Sequence, residues 1–150
     1  MNNYLHDANY AGRGSGAVTL AGRKQVFSYN TVHDAGRDII YMSGLSESIV
    51  EHNDLARAGW LTHDLGMIYG HSTDFQNTVF RFNTIHDSMD KKGGIGIYFD
   101  HASINMIIHN NALWNIKNDP IRFNNPSYYA LAFHNTAFNC GNTTTFDHSK

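Results

Sequence analysis

A phrase that recurs along the chain constrains its fold more than any other feature. Val26-Phe27-Ser28-Tyr29-Asn30-Thr31-Val32-His33-Asp34 comes back as Val79-Phe80-Arg81-Phe82-Asn83-Thr84-Ile85-His86-Asp87. Shorter versions surround Asn53, Asn111 and Asn135, and a partial one opens the chain at Asn3. The intervals between these asparagines run from 23 to 30 residues, inside the range of solenoid repeats. A second segment follows each Asn. In it Val18, Ile40, Ile68, Ile97 and Ile121 take one register, and Leu20, Met42, Gly70, Phe99 and Phe123 lie two residues on. Such period-two alternation reads as strand. Frequent β-branched and aromatic residues, broken by Gly and Asn, argue against helix.

The expectation is an all-β fold, a right-handed parallel β-helix of about six coils with an asparagine ladder. Each coil has a strand up to the Asn, a turn there, a short strand, a loop and one further strand. Asn suits the turn because it tolerates left-handed torsions. Its amide can also bond the Asn of the next coil, about 4.8 Å away. The hand follows from the general preference of parallel crossovers. The six asparagines are therefore ladder positions rather than site candidates. Residues 58–66 and 88–94 read as insertions, which in solenoids gather on one face, often the binding face. Residues 142–148 are expected to add one more edge strand. No capping helix is evident at either end, and open edges template association. Association through uncapped ends, or a larger parent protein, is expected.

At 150 residues the chain reads as a single domain over 1–150, a fragment of a longer β-helix protein, because Asn3 already stands mid-phrase. A net charge of -2 and 13% aromatic residues exclude a disordered chain. No apolar run approaches the roughly 18 residues of a membrane helix. The 11 Lys and Arg are scattered, whereas a nucleic-acid partner calls for a basic stripe. The opening Met1-Asn2-Asn3-Tyr4-Leu5 lacks the basic and apolar regions of a signal peptide. Cys140 is the only cysteine, so no internal disulfide forms.

With the Ile column inward, the outward column is Thr19, Tyr41, Tyr69, Tyr98 and Arg122. Two residues on come Ala21, Ser43, His71, Asp100 and Asn124. Coil stacking brings neighbours in each column together, so His71 and Asp100 are expected to touch beside a tyrosine stripe that ends at Arg122. Aromatic faces stack on sugars, while carboxylates and guanidinium groups hold hydroxyls or uronates. The same pattern also reads as a cross-strand tyrosine stack with a surface His–Asp hydrogen bond. His6, His33 and His86 recur in register with Trp114 and Phe138, and Ala56 falls between His33 and His86. That marks a wall position rather than a zinc site. No metal or other cofactor is expected. The donors for Ca2+ would be Asp74, Asp100 and Asn124, without the dense oxygen cluster such an ion takes.

The repeat resembles the right-handed parallel β-helix repeat family, the pectate-lyase-like superfold, over nearly the whole chain. Asp64-Leu65-Gly66-Met67-Ile68-Tyr69 and Gly96-Ile97-Tyr98-Phe99-Asp100-His101 are similar to two phrases of β-helix glycoside hydrolases, Asp-Gly-Gly-Ala-Ile-Tyr and Gly-Ile-Tyr-Leu-Asp-Asp. Leu65, Met67 and His101 depart from those phrases. The resemblance implies a polysaccharide-active domain acting on a polysaccharide or oligosaccharide, with Asp64 and Asp100 as the carboxylate pair that glycoside hydrolysis uses. His71 is the third catalytic candidate, and Tyr41, Tyr69, Tyr98, Arg122, His63 and His101 would line the sugar. Asp64 reads equally well as a turn residue. A polysaccharide lyase, with His71, Arg122 or a Tyr as base, is an alternative. So is a non-catalytic carbohydrate-binding or adhesion stalk. An extracellular or periplasmic location is implied by the resemblance alone.

Overall fold

A computed structural model of the chain describes residues 1–11 and 14–146, which form an all-β parallel solenoid. The first sheet holds β1 (Tyr4–Ala8), β4 (Thr31–Ala35), β7 (Asp54–Ala58), β10 (Thr84–His86), β13 (Ala112–Trp114) and β16 (Thr136–Phe138), in that order. The second runs β2 (Gly16–Arg23), β5 (Asp38–Ser46), β8 (Gly66–His71), β11 (Ile95–Asp100), β14 (Ile121–Phe123) and β17 (Thr145–Phe146). The third runs β3 (Val26–Ser28), β6 (Ile49–Glu51), β9 (Asp74–Arg81), β12 (Ile104–His109) and β15 (Leu131–Phe133). Each neighbouring pair is parallel, so the chain visits the three sheets in rotation. The expected six coils come to about five turns. The last circuit has strands in the first two sheets only, among the described residues. The expected extra edge strand exists as β17, paired with β14; the rest of that segment, Asp147 and His148, lies outside the described residues.

Inward side chains form one column per sheet position. Val32, Leu55, Ile85 and Leu113 are in register in the first sheet, and Ile40, Ile68, Ile97 and Ile121 in the second. Nearly all of these are fully buried. Gly70 interrupts the Met42–Phe99 column, and the ring of Phe75 fills its place. A methyl group on Gly70 would stand 2.8 Å from Phe75 Cζ. Phe75, Phe80 and Phe99 then meet edge to face with centroids 5.2 to 5.8 Å apart. Burying each such ring stabilises the fold by roughly 1.5–3 kcal/mol.

The asparagine ladder runs through Asn30, Asn53, Asn83 and Asn111. Each Oδ1 accepts both the backbone and the amide N–H of the Asn one coil earlier, as Asn53 Oδ1 does from Asn30 at 3.0 and 2.9 Å. Asn3 and Asn135 continue the chain of bonds at either end. The expected left-handed torsions do not fall on these residues. They fall one position earlier, on Tyr29, His52, Phe82, Asn110 and His134, with φ between 52 and 57°. The ladder Asn is selected for its two-ended amide, and the backbone reversal precedes it. Tyr29, His52 and Phe82 stack outside, at 4.8 and 5.1 Å.

The insertions both lie at the corner between the first and second sheets, 59–65 before β8 and 87–94 before β11. They are joined by His63 Nδ1 and Asp90 Oδ1, 2.6 Å apart, and by the Met89 N–H donating to the Ala58 carbonyl at 2.9 Å. The His6, His33 and His86 column is a wall position. His33 and His86 both pair with Ala56, and His86 stacks on Trp114 at 4.4 Å.

Candidate functional site

The second sheet places Tyr41, Tyr69, Tyr98 and Arg122 in one cross-coil row, because β5, β8, β11 and β14 pair without slippage there. The expected exposed stripe is not what this row forms. Tyr69 is 8% and Tyr98 4% exposed, and with Ile95 they make a small apolar cluster outside the main core, on which Tyr41 packs. Two guanidinium groups lie over the rings, Arg37 over Tyr69 at 5.6 Å and Arg122 over Tyr98 at 5.8 Å. Burial pushes both phenols far above their ordinary pKa, and Asp100 adds to the effect. Neither tyrosine offers its ring face as an open sugar platform. Tyr41, half-buried, sits at the edge of the row with its Oη 2.9 Å from His71 Nε2.

Asp100 closes β11. Its Oδ2 accepts the Tyr69 hydroxyl at 2.9 Å. Its Oδ1 accepts Asn124 Nδ2 at 2.7 Å and the His101 N–H at 2.8 Å. Partial burial acts to raise this carboxyl, but the hydrogen bonds from Asn124, His101 and the tyrosines outweigh it and hold it below the ordinary value. Asp100 is thus a fixed, ionised carboxylate with one side toward solvent. It shares a register position with His71. The two are cross-strand neighbours as expected, but no hydrogen bond or ion pair joins their side chains among the described residues: Asp100 is held by Tyr69 and Asn124, while His71 bonds Tyr41.

Asp64 lies near the end of the first insertion loop with φ 56°, as its reading as a turn residue implies. Its side chain is exposed and its carbonyl accepts Arg37 Nη2 at 3.0 Å. The carboxylate bears electrostatically on Tyr98, as does Asp100. Through Arg37, which also lies over the Tyr69 ring, the loop at Asp64 is tied to β8, the strand next to the one that carries Asp100.

The side chains of the remaining sequence candidates have the following surroundings. His63 serves the Asp90 link between the loops. His101 is exposed, with Nδ1 3.2 Å from the Asn125 carbonyl. Arg122 is paired through Nε with Asp119 Oδ2, so its charge is already met inside the protein. Asp74 Oδ1 is taken by the Asn105 amide at 2.9 Å. No group of three or more His, Cys, Asp or Glu among the described residues could hold a metal ion.

Three residues that shape this site were not singled out from the sequence: Arg37, Asp38 and Asp119. Asp38 and Asp119 are fully buried, each three residues before a member of the outward row, Tyr41 and Arg122. That spacing is the signal that could have found them, but Gly66 and Ile95 occupy the same place on the coils between.

No family model matches the chain, and neither curated proteins nor solved structures provide a match.

Proposed function

We propose that this is a polysaccharide-active domain that hydrolyses glycosidic bonds with Asp64 and Asp100. The observation that carries the reading is that Arg37 ties the two elements together: it donates to the Asp64 carbonyl at 3.0 Å and lies over the ring of Tyr69, whose hydroxyl donates to Asp100. Glycoside hydrolysis needs two carboxyl groups with different tasks. Asp100, ionised and held by three donors, takes the role of base or nucleophile. Asp64, exposed on the loop, delivers the proton to the departing glycosidic oxygen as the C–O bond breaks. Water supplies the hydroxyl of the new reducing end. The sugar would lie across Tyr41, His71 and His101, the accessible part of the row, with Tyr69, Tyr98 and Arg122 forming the support beneath.

A lyase reading draws on one separate observation. Tyr41 Oη and His71 Nε2 form an accessible pair 2.9 Å apart, suited to removing a proton beside a uronate carboxyl and returning one to the leaving oxygen.

Incubation of the chain with plant, algal and bacterial polysaccharides separates these readings. Reducing ends and the ultraviolet absorbance of unsaturated uronates are measured together. The hydrolase reading predicts reducing ends without absorbance. Both signals rising would favour the lyase pair. Folded protein with neither signal, but with retained binding, would overturn catalysis in favour of a carbohydrate-binding stalk.

A further inference from the structure

Asp38 opens β5 and has no exposed surface. On one side it is in register with Gly16, where any Cβ would stand 2.7 Å from the Tyr41 backbone nitrogen. On the other side its Oδ1 accepts the Gly66 N–H at 3.2 Å, at the start of β8 and two residues after Asp64. Its Oδ2 is buried with no hydrogen-bond partner. Arg37 is the nearest cation, with Nε 3.8 Å from that oxygen, beyond hydrogen-bond reach. The same guanidinium donates to the Asp64 carbonyl at 3.0 Å and lies over the Tyr69 ring.

We infer that Asp38 is a proton-holding positioning residue, whose protonation decides whether Arg37 stays on the loop that carries Asp64. The inference rests on the assignment of Asp64 to the site. A carboxylate enclosed with a single N–H donor is poorly stabilised as an anion. The charged group beside Asp38 is Arg37 from the preceding turn; the Asp64 carboxylate from the loop and the Tyr69 phenol on β8 act on it electrostatically, and β2 places Gly16 in register with it. Burial pushes the carboxyl up to about 7, with Arg37 opposing and Asp64 reinforcing. Protonated, Asp38 makes no claim on Arg37, and the guanidinium holds the Asp64 carbonyl. Ionised, it draws Arg37 Nε across the remaining gap and competes with that carbonyl. The placement of the Asp64 loop then depends on whether Asp38, inside the protein, holds its proton.

The test is carboxyl-carbon NMR titration of aspartate-labelled full chain, read beside amide-exchange rates of residues 61–65 across the same pH range. The expected result is one aspartate that titrates near pH 7, absent in Asp38→Asn, with loop exchange following the same midpoint. In Asp38→Asn the loop should exchange at a pH-independent rate beyond the intrinsic hydroxide dependence. Arg37→Gln serves as the second variant and should move the midpoint to higher pH while uncoupling the loop. The inference is overturned if every aspartate titrates below about pH 5, near the ordinary carboxylate range. Loop exchange that keeps its pH dependence in both variants overturns it equally. None of these signals needs turnover, so a chain that hydrolyses no polysaccharide can still confirm the coupling. An active chain that lacks the coupling refutes this inference alone.

Discussion

Tyr69 donates its hydroxyl hydrogen to Asp100 Oδ2 across one coil, over 2.9 Å. The bond fixes the carboxylate and keeps it ionised, since Tyr69 is one of the groups that lower its pKa against the opposing effect of burial. Tyr69→Phe leaves the ring packing and removes the donor. The acid limb of the pH–rate profile should then move to higher pH, and turnover should fall about tenfold, the loss of one charge-assisted hydrogen bond. An unmoved acid limb would separate Asp100 from the titration that controls the rate.

The asparagine ladder makes a prediction about stability alone. Asn53 is buried, accepts two N–H groups from Asn30, and donates to Asn83 Oδ1 and the Phe27 carbonyl. Asn53→Ala strands the Asn30 donors and that carbonyl in the interior. Unfolding in urea should show a loss of about 3 kcal/mol or more, because each orphaned buried group costs roughly 1–3 kcal/mol. Loss of a few tenths would mean that water replaces the ladder.

Gly70 is predicted to resist substitution for steric reasons. The added methyl of Gly70→Ala would meet Phe75 Cζ at 2.8 Å and Met42 Cε at 3.0 Å. Overpacking of this size costs about 1–3 kcal/mol. The double variant Gly70→Ala/Phe75→Leu should recover part of that loss in the same urea experiment, because the shorter side chain vacates the contact.

Acid should destabilise the fold. The Arg57 guanidinium, bonded to Asp34 through Nε at 2.7 Å and Nη2 at 2.9 Å, holds that carboxyl well below the usual range. The Asn115 amide and His86 lower Asp87. A carboxyl with a depressed folded-state pKa stabilises above its unfolded value, about pH 4. That contribution is lost as pH falls through the folded value. Urea midpoints should therefore drop below about pH 4, and less steeply in Asp34→Asn.

Much of the architecture was legible because two periods coincide. Alternation along each strand and recurrence from coil to coil together placed Ile68 under Ile97 and Tyr69 beside Tyr98, and the observed register agrees. The backbone reversals were misplaced by one residue. Asn is a good left-handed residue, but at Asn53 the amide is used for cross-coil bonds and His52 takes the positive φ instead. The burial of Tyr69 and Tyr98 was not legible, because it depends on Arg37 and Ile95 folding over the row, a relation with no sequence period. Asp38 stayed hidden for a similar reason: its column continues with Gly66 and Ile95 before the acid returns at Asp119, so no acid repeats from one coil to the next.

The central claim is that Asp64 and Asp100 act as one catalytic unit, and a double-mutant cycle on a hydrolysed polysaccharide tests it most directly. Turnover is compared for the parent chain, Asp64→Asn, Asp100→Asn and the double variant, each checked for folding by circular dichroism. Each single change should lower turnover by about 10²–10⁴-fold, and the double variant should be little worse than the poorer single, since residues acting as a unit are non-additive. A single variant that keeps full turnover while folded would contradict the claim and place the chemistry elsewhere on the solenoid.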